Sequence, residues 1–171
     1  MKNCTYFVEG ECEKKLLNAL KASPNLILPG KVRVFNVIQD VLTGSHLYSI
    51  KEGYVVFVFD SDVKTVEKLK QNIEKVRKYC PQKTVTLLFL VQLKKLEDEL
   101  VRATDVNKIE ELTGSRSEKD FKSDFLALKD LRLVLNKHGF KIEKLWTQPV
   151  PEPLNFVEQG TERIVLCNNR I

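Results

Sequence analysis

A chain of 171 residues, 43% hydrophobic and 30% charged, can bury a core of its own and is too apolar for a disordered chain. Its 28 basic and 23 acidic residues leave a formal charge of +5, which permits a polyanionic partner without requiring one. No apolar run approaches the roughly 18 residues of a membrane span, and Glu9, Glu11 and Glu13 stand where a signal peptide needs its apolar core.

Residues 3–8 carry Tyr6, Phe7 and Val8 and read as a strand. Glu9 and Gly10 follow, and then a helix over residues 11–21 with Leu16, Leu17 and Leu20 on one face. Pro24 and the Pro29-Gly30 pair close that unit. Residues 31–38 alternate through Val32 and Val34 and predict a second strand. Residues 39–53 are less regular, with room for a short helix near 40–42. Residues 54–59, YVVFVF, are continuously apolar, the pattern of a strand buried on both faces of a parallel sheet. They end abruptly in Asp60-Ser61-Asp62. A helix over 63–79 repeats Val66, Leu69, Ile73 and Val76, and residues 84–91 give a fourth buried strand. This alternation predicts an α/β fold with a mostly parallel four-stranded sheet flanked by helices. Beyond it, residues 93–103, 106–112 and 124–138 read as helices, 140–145 as a last strand, and 162–167 as an edge strand after a proline-bearing tail. The predicted organisation is a core over residues 1–105 and a helical extension with an extended tail over 106–171, packed on the core.

The four cysteines, Cys4, Cys12, Cys80 and Cys167, form no C-x-x-C pair. They read as reduced, structural thiols in a cytoplasmic protein, not as zinc ligands or disulfides. His46 and His138 are the only histidines, and no G-x-S-x-G elbow offers a serine nucleophile. Chemistry is left to carboxylates, lysines and arginines.

Glu9 ends the first predicted strand, and Asp60 and Asp62 end the third. Ligands of open parallel sheets bind at such carboxyl ends. Adjacent strands lie about 4.8 Å apart, so Glu9 and Asp60 converge if their strands are neighbours. Crowded carboxylates repel, and a divalent cation relieves the repulsion; oxygen ligands suit Mg²⁺ or Mn²⁺. Gly10 lets the backbone approach a ligand closely or take a positive φ. The plainer reading has acidic residues complementing a helix dipole, with Asp62 as an N-cap.

Residues 6–17, YFVEGECEKKLL, and 55–62, VVFVFDSD, together resemble the TOPRIM superfamily, and within it the small nucleases of the OLD type (overcoming lysogenization defect). The resemblance spans residues 3–105. It implies a Rossmann-like TOPRIM fold and a Mg²⁺- or Mn²⁺-dependent nuclease or phosphodiesterase acting on DNA or RNA. Glu9 takes the role of general acid/base or metal ligand, and Asp60 and Asp62 bind metal. Glu97, beyond the fourth strand, is a further ligand, with Glu99 and Glu13 as supporting carboxylates. Lys122 steadies the scissile phosphate, while Lys64, Lys68, Arg116 and Lys119 are candidate nucleic-acid contacts. An ATPase partner and a role as a phage-defence effector belong to the same resemblance. Val63 and Lys64 follow Asp62 without the glycine common in topoisomerases.

Plainer readings stand beside these. Glu97, Asp98 and Glu99 also fit a solvated helical face with a Lys95–Glu99 pair. Residues 115–125 also fit a helix start capped by Ser115 or Ser117, with Phe121 and Phe125 in the core. Two other functions compete. D-x-D-x-V after a buried strand also fits a haloacid-dehalogenase-type phosphatase, with Asp60 as nucleophile and Asp62 as acid/base. The chain could also be a non-catalytic module that binds nucleic acid or a partner.

Overall fold

The computed structural model describes residues 3–22 and 25–166. Four strands, β1 (Cys4–Val8), β2 (Gly30–Val34), β3 (Gly53–Asp60) and β4 (Val85–Gln92), form one all-parallel sheet in the order β2-β1-β3-β4. The expected α/β architecture is what the chain adopts. Helix α1 (Glu11–Lys21) links β1 to β2, the four-residue α2 (Gly44–Leu47) lies between β2 and β3, and α3 (Glu67–Tyr79) links β3 to β4.

Side-chain alternation divides the sheet into two apolar faces. Tyr6, Val8, Val56, Val58, Leu88 and Leu90 pack with Leu16, Leu17 and Leu20 of α1. Phe7, Val55, Phe57, Phe59 and Val91 pack with Leu69, Ile73 and Val76 of α3. The later helices, α4 (Leu96–Ala103), α5 (Ile109–Thr113), α6 (Glu118–Ala127) and α7 (Leu131–Lys137), add Leu100, Ile109, Phe121, Phe125 and Leu135 to the α1 face. The C-terminal extension therefore shares one core with the sheet.

The chain runs outward from β1 to β2, then returns past β1 to start β3. Strands β1 and β3 are neighbours, with Val8 opposite Val58, so the connection reverses direction between them. That reversal is the point where an open parallel sheet leaves a crevice at its carboxyl end.

Several local predictions need correction. The short helix is at Gly44–Leu47, not 40–42, because Thr43 and His46 form a reciprocal capping box there. Helix α3 starts at Glu67, not 63. The Ser61 and Asp62 amides donate to the Gln92 and Lys94 carbonyls, which holds that stretch extended. The predicted helix over 124–138 is two helices. Lys15 Nζ donates to the Leu126 carbonyl at 2.7 Å, and Asp130 accepts from the Leu133 amide at 3.0 Å as the cap of α7. Residues 140–145 hold a 3-10 turn (Ile142–Lys144) instead of a strand, since they pack on α4 and not along a sheet edge. In the tail, α8 (Thr161–Ile164) replaces most of the predicted edge strand, leaving one antiparallel bridge between Val165 and Ile27. Cys167, the end of that prediction, lies outside the described residues; Cys4, Cys12 and Cys80 are buried free thiols. No helix among the described residues is long and apolar enough to cross a membrane.

Candidate active site

Glu9 leaves β1 beside the end of β3 and is fixed by two donors. Its Oε2 accepts from the Asp60 backbone N–H at 2.7 Å, and its Oε1 accepts from Asn36 Nδ2 at 2.6 Å. Asn36 is itself held in the turn after β2, where its Oδ1 accepts from the amides of Ile38 and Gln39 at 2.9 and 3.0 Å. Carboxylate, turn and strand end thus lock one another. Asn36 escaped the sequence reading because it falls inside the strand predicted over 31–38, whereas β2 stops at Val34 and leaves Asn36 in an Asx-type turn.

Beside Asp60 lies a cleft of about 230 Å³, lined by Gly10, Glu11, Glu13, Asp60, Glu97 and Lys122, with Cys12, Leu96 and Leu126 among its walls. Glu13 and Glu97 stand in the first turns of α1 and α4, so both carboxylates sit at the positive ends of helices. Gly10 has an extended backbone, with φ of −152°, so its role is room and not conformational freedom. A Cβ there would lie 3.2 Å from Glu13 Oε2.

The carboxylates press on one another. Burial pushes the Asp60 carboxyl up to about 8, helped by the charges of Glu9, Glu13 and Glu97 and opposed by Lys122. Burial likewise raises Glu13, with Glu9 and Glu97 adding to the effect and Lys122 opposing it. The neighbouring Cys12 thiol is held up at about 11, by burial first and Glu13 second, so it is an inert wall and not a nucleophile. Asp60 Oδ1 is buried and has no hydrogen-bond partner among the described residues. The one cation at the cleft wall, Lys122, reaches in from α6 with Nζ 3.8 Å from Glu97 Oε1, and its side chain is 72% exposed.

Four of the residues singled out from sequence, Glu13, Asp60, Glu97 and Lys122, therefore meet at one cleft, and Glu9 adjoins it through the Asp60 backbone amide. Others do not. Asp62 is exposed and lines no part of the cleft, because its amide bond to Lys94 turns the chain away from β3. Glu99 is fully buried but serves the frame: it accepts from the amides of Leu93 at 2.8 Å and Trp146 at 3.0 Å and pairs with Arg102 at 2.5 Å. The Lys95–Glu99 pair does not form; Lys95 pairs with Glu118 instead. Lys119 is exposed one turn before Lys122 on the same side of α6, and Arg116 is exposed just ahead of that helix. Lys64 and Lys68 are exposed on the α3 side of the sheet, and Lys68 is spent on the Gln39 carbonyl. Phe121 and Phe125 are buried, as the plainer reading had it.

A larger groove of about 800 Å³ runs between α3 and the β4 edge, walled by Ile73, Val76, Leu87, Phe89 and Phe156. Its apolar floor is rimmed by Lys70, Lys75, Arg77 and Lys78, with Glu74 its one carboxylate among the described residues. Among the described residues no three His, Cys, Asp or Glu side chains converge as a metal-ion site. The cleft carboxylates influence one another through space without pointing at a common centre. No family model matches the chain, and neither curated proteins nor solved structures show a significant match to it.

Proposed function

We propose that the protein is a divalent-cation-dependent phosphodiester hydrolase acting on nucleic acid, with the cleft between the end of β3 and helices α1, α4 and α6 as its active site. The observation that carries this reading is the buried, unpartnered Oδ1 of Asp60 among three other carboxylates. A buried acceptor without a donor, crowded by like charges, is a position for a cation. An all-oxygen donor set suits Mg²⁺ or Mn²⁺. The motif resemblance to TOPRIM nucleases points the same way.

Asp60, Glu13 and Glu97 are the residues that would hold the ion; the long side chains of Glu13 and Glu97 have the rotamer freedom to converge on it. A bound ion polarises a phosphoryl oxygen and lowers the pKa of an attacking water. Glu9, with both oxygens already engaged, fixes the Asp60 backbone and keeps the end of β3 in place. Lys122, exposed at the rim, donates to a non-bridging phosphate oxygen and offsets the charge that develops there. Lys119 and Arg116, on the same approach, extend that cationic rim along a polyanion. Asp62 has no part in this arrangement. Its exposure also counts against the phosphatase alternative, which needs an acid/base two residues after Asp60 and inside the same cleft. A cytoplasmic setting rests on the reading of the cysteines as reduced thiols, and an ATPase partner and a defence role rest on the resemblance.

The test is cleavage of DNA, RNA and tRNA by the full chain with Mg²⁺ or Mn²⁺. Wild type is expected to cut at least one substrate, and Asp60→Asn to lose about a thousandfold or more of that activity. A folded wild type inert in every combination removes the reading, and binding without cleavage would favour the non-catalytic module.

A further inference from the structure

We propose that Gln92 is an additional ligand of the divalent cation, through its side-chain amide oxygen; this rests on the cation reading of the cleft given above. Gln92 is the last residue of β4 and the register partner of Asp60, the last residue of β3. Parallel register partners point to the same face of a sheet. That face is the α1 and α4 side, since Val58 and Leu90, two residues earlier in each strand, both pack there. Leu88, Leu90 and Gln92 form one inward-facing row, and the row turns polar only beside Asp60.

The side chain is as buried as the leucines before it, with 1% exposure, yet its Oε1 has no hydrogen-bond partner among the described residues. Buried amide oxygens are almost always satisfied. Here two unpartnered acceptor oxygens, Asp60 Oδ1 and Gln92 Oε1, stand at the ends of adjacent strands on one face. With Asp60 ionised neither can satisfy the other, since both then accept. A positive centre between them answers both, and a neutral amide oxygen is an ordinary ligand for a hard divalent cation. It adds coordination without adding a fifth negative charge to a cleft that holds four carboxylates.

The competing role is a donor: with the amide turned, Gln92 Nε2 would reach towards Asp60 and hold its carboxylate. A third role is none, a buried polar group without consequence. Mn²⁺ binding to the full chain, measured by calorimetry and by the spin-resonance signal of free Mn²⁺ without nucleic acid, separates these. A ligand role predicts that Gln92→Met weakens Mn²⁺ binding about tenfold or more, while Gln92→Glu, which keeps an oxygen there, binds as well as wild type or better. Both variants weakened would mean the donor role and would overturn the proposal, as would both unchanged. Gln92→Met removes an unsatisfied group, so its metal-free melting temperature is expected at or above that of wild type. The rise in melting temperature on adding Mn²⁺ should shrink with the affinity. Asp60→Asn keeps the two claims apart. If it binds Mn²⁺ like wild type, the cation reading of the cleft fails. If it loses binding while Gln92→Met does not, only the role of Gln92 fails.

Discussion

The two ends of the sheet are built on opposite terms. At the amino end, backbone meets backbone at two glycines. A Cβ on Gly30 would lie 2.1 Å from the Cys4 carbonyl oxygen, and one on Gly53 would lie 2.0 Å from the Asn3 carbonyl oxygen. Gly53 also has φ of +95°, and its amide donates to the Thr84 carbonyl at 2.8 Å. At the carboxyl end the strands stop in Glu9, Asp60 and Gln92, and two buried oxygens lack partners. The amino end is closed at two backbone contacts that tolerate nothing larger than hydrogen, and the carboxyl end holds buried oxygens without partners among the described residues. On the cation reading those oxygens serve a ligand, and the closed contacts hold the strands that carry them.

If that contrast is right, the largest losses of stability come from the closed end. Gly53→Ala puts a Cβ into the Asn3 carbonyl and forces a non-glycine residue into the left-handed region. The expected cost is about 3–5 kcal/mol, seen as a lower urea midpoint. A midpoint within error of wild type would show that the amino end can yield.

The next effect tests a distinction between two buried acids at the functional end. Glu99 has every oxygen engaged, whereas Asp60 has one that is not. Glu99→Ala strands the amides of Leu93 and Trp146 and the Arg102 guanidinium. Because Arg102 keeps 28% of its side chain in solvent, the expected loss is about 2–3 kcal/mol. The Mn²⁺ affinity of the protein that remains folded should stay near wild type. A fall in affinity with stability intact would return Glu99 to the site.

The same pair explains what could be read from the chain alone. β1, β3 and β4 were legible because strands buried in a sheet write themselves as apolar runs, and β2, at the sheet edge, because its valines alternate. Glu9 and Asp60 were singled out because each follows such a run, and Glu97 and Lys122 because the motif resemblance asks for an acid beyond the fourth strand and a lysine. Asp62 and Glu99 looked equivalent to their neighbours, since charge and spacing do not say which way a carboxylate turns. That is decided by amide bonds from Asp62 to Lys94 and from Leu93 and Trp146 to Glu99, made across loops. Asn36 and Gln92 were invisible for the same reason: their meaning comes from strand order, and a lone amide at a strand end carries no periodic signal. The C-terminal segments were misread because a short amphipathic stretch packing on helices resembles one packing on a sheet.

The last prediction is the most specific to the carboxyl end and includes the smallest effect. Without metal, Asp60 titrates near 8 in the folded protein and near 4 in the unfolded chain. Below about pH 4 both states hold the proton, so this group gives no pH dependence. Between about 4 and 8 the unfolded chain has lost the proton and the folded protein keeps it, so stability falls as pH rises, by at most about 1.4 kcal/mol per unit. Above about 8 both are ionised and the cost stays constant. Asp60→Asn should flatten much of that slope in metal-free melts, leaving the smaller share of Glu13, whose raised carboxyl acts in the same direction. Saturating Mn²⁺ should flatten it in the wild type by favouring the ionised form. Lys122 opposes the rise at Asp60, so Lys122→Ala should move the upper end of the falling limb to higher pH. Since that lysine is largely exposed, its effect on stability at neutral pH should stay below about 0.5 kcal/mol. A limb unmoved by Lys122→Ala would mean that the lysine does not reach the carboxylates in solution, and its place at the phosphate would fall with it.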